Sequence, residues 1–251
     1  MDSFIGWVGG KKQLRREIIK MFPADGVKKY VEVFGGAGWV LFGKEPHEKE
    51  IYNDVNSELV NLFRMVKRHP EALEQEISLT LNSREEFARQ LAQRPDGLTE
   101  LQRAARMYYL IRVSYGCKLN TYGMNQRDAS VIKNLQTVHQ RLKNVVIENK
   151  SFEEVIRQHD RKDTLFYCDP PYYKAERFYD IGGGSFGREQ HVLLRDLLAG
   201  IEGRFVLSYN DDPFIWELCK GFSIEPIERS NNLGVVVGGK KTYKELIIKN
   251  F

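Results

Sequence analysis

The feature that most limits what this chain can fold into is the apolar run Thr164-Leu165-Phe166-Tyr167-Cys168, closed by Asp169-Pro170-Pro171-Tyr172. A short, continuously apolar run reads as a strand buried on both faces, as in a parallel sheet. Two successive prolines cannot extend a sheet ladder, because neither offers an N–H. The strand therefore stops there and delivers a carboxylate, a stiff turn and an aromatic ring to the carboxyl edge of a sheet. Open α/β folds bind ligands at that edge. A carboxylate and carbonyls that accept hydrogen bonds, next to a ring that stacks, suit an amino group on a planar base.

At 251 residues the chain can bury one large domain, or a domain with an insertion. It has no apolar stretch near the roughly 20 residues that span a bilayer. The start, Met1-Asp2-Ser3-Phe4-Ile5-Gly6-Trp7, lacks the basic beginning and apolar core of a signal peptide. Cys117, Cys168 and Cys219 are scattered and form no C-x-x-C pair, which argues against a disulfide framework or zinc site. These features predict a cytoplasmic protein with no membrane segment and no metal. Charge is uneven: residues 57–150 hold 15 Lys and Arg against 10 Asp and Glu, while the remainder holds 23 against 24. The positive excess thus falls in the middle, as a footprint for a polyanion or as a solvated helical surface.

Three blocks follow from periodicity. Residues 1–56 contain strand-like runs at Tyr30–Phe34 and Glu50–Asp54, with Gly35-Gly36-Ala37-Gly38 opening a helix from Trp39 to Phe42. Residues 57–145 are short of strand signals, and helical spacing is present around Val60 and Phe63, over Glu85–Leu91 and over Leu101–Val113, with breaks at Pro70 and Pro95. Residues 146–251 return to strands and helices, beginning from a strand at Val145–Glu148. Gly187 caps a helix to Leu198 with a stripe of Leu193, Leu194, Leu197 and Leu198, and Phe205–Tyr209 reads as a strand. Pro213–Lys220 reads as a helix stopped by Gly221. Ser223–Glu228 and Tyr243–Lys249 lack a crossover helix between them and predict an antiparallel pair. The expected fold is α/β, a mostly parallel sheet interrupted after its second strand by a basic helical insertion.

The glycine turn after Tyr30–Phe34 permits positive φ and close backbone approach to a ligand. Asp54 follows Gly36 by 18 residues, at the end of the next strand, where an acidic side chain meets ribose hydroxyls. Together they predict a nucleoside-bearing cofactor. The full dinucleotide fingerprint is absent, since Leu41 holds the third glycine position. A tight strand-to-helix connection is the plainer reading of the glycines alone, and Trp7 alone reads as an N-terminal core anchor.

At this point the chain resembles a family. Phe34-Gly35-Gly36-Ala37-Gly38 resembles the F-x-G-x-G motif of S-adenosylmethionine-dependent DNA amino-methyltransferases, and Asp169-Pro170-Pro171-Tyr172 resembles their D-P-P-Y. Trp7-Val8-Gly9-Gly10-Lys11 resembles the W-x-G-G-K opening of the Dam-like adenine-N6 enzymes (D12 class, alpha group), and the segment order is similar over nearly the whole chain. The resemblance implies a Rossmann-like methyltransferase fold, with S-adenosyl-L-methionine as cofactor and double-stranded DNA as substrate, and it implies no obligatory protein partner. It implies cofactor contacts from Trp7, Lys11, Phe34, Gly36, Gly38, Asp54 and Asp169. Phe152 falls where the family often has D-F near the cofactor adenine, with Ser151 in place of the acidic residue. In the insertion, Tyr108–Gly116 resembles the stretch that enters the DNA stack. Tyr115 is the candidate for filling the gap, with Lys118, Asn120, Tyr122 and Arg127 meeting bases or phosphates, while Tyr108 and Tyr109 read as helix core.

The chemistry follows from the poor nucleophilicity of an aromatic amino group, whose lone pair is delocalised into the ring. Acceptors on both of its hydrogens, the Asp169 carboxylate and the Pro170 carbonyl, localise that pair and stabilise the charge that grows on nitrogen. Tyr172 stacks on the base, which must be flipped out of the duplex to react. Cys168 precedes Asp169 on the strand, points to the opposite face and reads as core. The loop Arg177–Gly187, rich in glycine, reads either as a cover over the flipped base or as a plain surface loop. Cytosine-N4 methylation, a DNA-binding protein without activity and a nicotinamide oxidoreductase are the competing readings of the same residues.

Overall fold

Alternation along the strands sets the layers, because successive side chains of a strand point to opposite faces. The structure is a computed structural model and describes residues 1–123, 131–174, 186–230 and 242–251. In chain order it contains α1 (Arg15–Lys20), β1 (Lys29–Glu32), α2 (Trp39–Gly43) and β2 (Lys49–Asn53). A helical stretch follows, with α3 (Ser57–Arg68), α4 (Pro70–Ser78), α5 (Arg84–Ala92), α6 (Glu100–Val113) and α7 (Leu135–Leu142). Strands and helices then alternate through β3 (Val145–Glu148), α8 (Phe152–His159), β4 (Thr164–Cys168), α9 (Arg188–Ala199), β5 (Arg204–Asn210) and α10 (Pro213–Leu218). The chain closes with β6 (Ser223–Ser230) and β7 (Thr242–Lys249).

Among the described residues these strands form one seven-stranded sheet in the order β3-β2-β1-β4-β5-β7-β6. β1 to β5 pair in parallel, and β7 runs antiparallel between β5 and β6. The mostly parallel sheet and the antiparallel final pair are therefore as the sequence predicts. Tyr30, Tyr52, Leu165, Tyr167 and Val206 pack on one face with α1 to α7, and Val31, Ile51, Phe166, Cys168 and Phe205 pack on the other with α8, α9 and α10. Each large apolar side chain buried this way contributes about 1.5–3 kcal/mol.

The helical stretch is seated directly on the sheet. Asn56 caps α3 by accepting from the Glu58 and Leu59 amides at 3.1 Å. The Phe63 ring of α3 stacks on Tyr52 of β2 with centroids 4.1 Å apart. At the far end of the stretch, Arg141 of α7 and Lys44 both pair with Glu50 on β2, and Arg141 also donates to the Leu41 carbonyl at 2.8 Å. Glu50 is buried, and such a carboxylate is tolerated only when its partners are complete. Tyr108 and Tyr109 of α6 are buried, which bears out their reading as helix core.

The structure corrects several local expectations. α1, α4, α7 and α8 were not expected as helices. α1 carries a single buried residue, Ile18, so it shows no apolar stripe. Pro70 opens α4 at its first turn as well as ending α3, since the missing N–H costs nothing there. α9 buries Leu194 and Leu198, but Leu193 is exposed and His191 takes a buried place instead. α10 ends at Leu218, two residues before the expected Lys220, and Gly221 at φ +105° makes the turn beyond it.

Candidate active site

The strand order reverses at β1, where β2 and β3 lie on one side and β4 and β5 on the other. Connections diverge there and leave a crevice at the carboxyl edge. On one side of it β1 leads into the glycine turn. Gly36 has φ +49° and Gly38 φ +67°, and Gly38 opens α2. A Cβ on Gly35 would overlap the Tyr52 ring, and one on Gly36 would sit 3.0 Å from the Trp7 indole. Glycine is needed at both for close approach, and at Gly36 and Gly38 for the backbone as well. The Gly35 amide donates to the Asn53 carbonyl at 2.7 Å, which pins the turn to the end of β2.

Asp54, next after β2, accepts from the Gly36 amide at 2.8 Å and, through its other oxygen, from the Asn56 amide at 2.8 Å. One carboxylate thus braces the glycine turn and the start of α3 together. Burial pushes its pKa up, against the pull of these backbone donors. Each oxygen keeps acceptor capacity for a hydroxyl.

Across the crevice, β4 ends in Asp169, which is contacted by the buried Lys11. The Lys11 ammonium is 2.6 Å from Asp169 Oδ1 and 2.8 Å from Oδ2, and it also donates to the Gly9 carbonyl at 3.0 Å. Ser208 of β5 donates to Asp169 Oδ1 at 2.9 Å. Burial raises the Asp169 pKa, and the Lys11 charge and hydrogen bond oppose this and favour the carboxylate. The same ammonium lies 4.6 Å from the Tyr172 ring centroid. Tyr172 donates its hydroxyl to Glu245 of β7 at 2.5 Å. Cys168 is fully buried on the opposite face of the sheet and its thiol pKa is pushed up by burial, in keeping with a core residue.

These elements enclose a cavity of about 440 Å³. Trp7, Lys11, Phe34, Gly36, Gly38, Asp54 and Asp169 all line it. Pro171 lines it as well, whereas Pro170 is buried and is not among the lining residues. Phe34 stacks on Phe152 at 5.8 Å and meets Phe186 edge-on at 5.7 Å, making one aromatic wall. Ser151, beside that wall, caps α8 by accepting from the Glu154 amide at 3.2 Å.

Sequence reasoning missed two acidic groups. Glu32, near the end of β1, lines the cavity, and Tyr30 donates to it at 2.6 Å. Burial raises its pKa to about 8, so it is largely protonated at neutral pH. An acidic residue in an otherwise apolar buried strand was the available signal. Glu245 carried no such signal, because only the reversal of β7 brings the start of that strand to this edge.

Beyond α6 lies a second group of candidates. The Tyr115 amide donates to the Thr121 carbonyl at 2.7 Å, the Gly123 amide donates to Val113 at 2.7 Å, and Ser114 bridges to Tyr122. The chain between them forms a tight excursion in which Gly116, Cys117 and Leu119 all have φ near +60°. Tyr115 is 67% exposed, and Lys118 and Asn120 are exposed too. Tyr122 is half-buried against Phe87 and donates to Asn82 at 3.0 Å. Arg127 and most of the Arg177–Gly187 loop lie outside the described residues. Among the described residues no helix is long and apolar enough to cross a membrane.

Residues 7–233 match the family model of the D12 class N6 adenine-specific DNA methyltransferases. The type II methyltransferase M1.LlaDCHI of Lactococcus lactis subsp. cremoris is 29% identical over 100% of this chain and 96% of its own length. The type II methyltransferase M.CviBI of Paramecium bursaria Chlorella virus NC1A is 24% identical over 100% of both chains. The DNA adenine methylase of Haemophilus influenzae is 25% identical over 97% of this chain and 92% of its own length.

Proposed function

The chain belongs to the D12 class of N6 adenine-specific DNA methyltransferases, and from that premise we propose that it moves a methyl group from S-adenosyl-L-methionine to the N6 amino group of an adenine turned out of duplex DNA. The observation that carries this reading is the convergence of the glycine turn, Asp54 and the Lys11–Asp169 pair on one cavity.

The residues present suit the cofactor. The cavity, about 440 Å³, falls within the range of small-molecule sites, and its lining is mainly apolar with a few convergent polar groups. Asp54 would hold the ribose, Trp7 and Lys11 the methionine end, Phe34 and Phe152 the adenine, and Gly36 and Gly38 let the backbone approach. Bound there, S-adenosyl-L-methionine supplies an electrophilic methyl group on a sulfonium.

The chain's own residues prepare the acceptor. Asp169 accepts one hydrogen of the target amino group and the Pro170 carbonyl accepts the other. This localises the nitrogen lone pair and stabilises the positive charge that develops on nitrogen. Burial pushes the Asp169 pKa up, and the Lys11 ammonium beside it opposes that and favours the carboxylate this task needs. Tyr172 stacks on the extruded ring. The insertion, residues 57–145, carries Tyr115, Lys118, Asn120, Tyr122 and Arg127 to the duplex, with Tyr115 filling the vacated position in the stack.

Transfer of labelled methyl from S-adenosyl-L-methionine to unmethylated duplexes and to the matching single strands tests the reading. It expects label in the duplex, dependent on adenine. Label in neither DNA, or in duplexes without adenine, contradicts it.

A further inference from the structure

The hydrogen bonds of Asp169 pose a problem for the reaction proposed above. Lys11 Nζ donates to Oδ2 at 2.8 Å and lies 2.6 Å from Oδ1 as an ion pair, and Ser208 donates to Oδ1 at 2.9 Å. An amino group that donates to Asp169 shares the carboxylate with Lys11, whose ammonium lies against both of its oxygens. The Lys11 side chain is only 4% exposed, so its charge is largely withheld from water. A buried cation that loses its counter-ion is strongly disfavoured.

A second carboxylate stands beside it. Glu245 Oε2 is 3.9 Å from Lys11 Nζ, and its side chain is 5% exposed. Glu245 owes this place to topology. β7 runs against its neighbours, so its first residues lie at the carboxyl edge, where Glu245 pairs with Asn210 at the end of β5. The carboxylate also accepts the Tyr172 hydroxyl, and the Lys11 ammonium lies over that same ring. Glu245 therefore lies beside both the Lys11 ammonium and the Tyr172 hydroxyl.

We propose that Glu245 is a positioning residue for the transfer step: it takes the Lys11 ammonium when the incoming amino group takes Asp169, and its bond to the Tyr172 hydroxyl holds the ring where the base stacks. This rests on the reading of the site as one for a base amino group. A short shift of Lys11 from one carboxylate to the other then frees an acceptor without stranding a buried charge.

Glu245→Gln keeps the shape and an acceptor for Tyr172 but removes the charge that would receive Lys11. The variant is compared with wild type in three measurements on the full chain. These are the single-turnover transfer rate, the affinity for S-adenosyl-L-methionine, and the fluorescence rise of 2-aminopurine at the target position, which reports extrusion of the base. The expected result is a rate about tenfold lower or more, with cofactor affinity and fluorescence rise within about threefold of wild type, the pattern of an interaction used only in the transition state. Tyr172→Phe breaks the same hydrogen bond from the other end while leaving both charges, and it should lose less rate than Glu245→Gln. A Glu245→Gln rate within about twofold of wild type overturns the proposal, as does a loss of rate matched by an equal loss of cofactor affinity. If wild type itself moves no methyl to adenine, the reading of the site fails instead, and the two failures are told apart.

Discussion

The crevice at the ends of β1 and β4 and the excursion after α6 are built on different terms. In the crevice the polar candidate side chains are held by partners from other elements: Asp54 by the Gly36 amide, Asp169 by Lys11 and Ser208, Tyr172 by Glu245. In the excursion the backbone is braced by Tyr115–Thr121 and Gly123–Val113 bonds while Tyr115, Lys118 and Asn120 extend into solvent. The first region is held in place by contacts within the protein, as the proposed cofactor site and transfer step would require. The second presents Tyr115, Lys118 and Asn120 on the surface of a braced turn. Substitutions in the crevice should therefore change cofactor binding or chemistry, and those in the excursion should change only events on DNA.

The largest separation is expected from Asp169→Ala. It should lower the single-turnover methyl-transfer rate by about 10³-fold or more, with cofactor affinity changed only a few-fold. Equal losses in both would mean that Asp169 serves the cofactor rather than the amino group. Asp54→Ala comes next. It removes the ribose acceptor and also releases the Gly36 and Asn56 amides, so cofactor affinity by calorimetry should fall about tenfold or more. An unchanged affinity would break the assignment of the crevice to a nucleoside.

Tyr115→Ala is the matching test of the excursion. It should reduce the fluorescence rise of 2-aminopurine at the target position several-fold and leave cofactor affinity untouched. A change in cofactor affinity would erase the distinction between the two regions.

The smallest effect concerns Glu32 and stability. Its folded pKa of about 8 lies above the ordinary 4.5, so the native state binds a proton that the unfolded chain has already lost between those values. The stabilising contribution is complete below about pH 4.5 and is lost as pH rises through about 8. The melting temperature of Glu32→Gln, measured against wild type from pH 5 to 9, should gain on it as pH rises. A constant difference would mean that Glu32 does not hold its proton in the folded protein.

What could be read from the sequence follows the same division. The parallel strands were legible because burial on both faces leaves an unbroken apolar run, and the prolines after Asp169 mark where such a run must stop. Asp54 and Asp169 were legible because they follow the ends of strands, whereas Lys11 stood out only through the resemblance of Trp7–Lys11 to W-x-G-G-K. α8 is short, and its one local signal is the capping box that Ser151 forms with Glu154. α1, with one buried residue, offered no periodicity to detect. The four-leucine stripe of α9 overstated its buried face, since Leu193 points to solvent. Glu245 depends on a strand reversal and on pairing with Asn210, and no local pattern encodes that contact.

The central claim is that Asp169 presents an adenine amino group to the methyl donor held beside it. Mass spectrometry of nucleosides from duplex DNA, incubated with the full chain and S-adenosyl-L-methionine labelled in its methyl group, tests it most directly. The account predicts labelled N6-methyladenine from wild type and none from Asp169→Ala. Labelled N4-methylcytosine without N6-methyladenine, or label that persists in the variant, would contradict it.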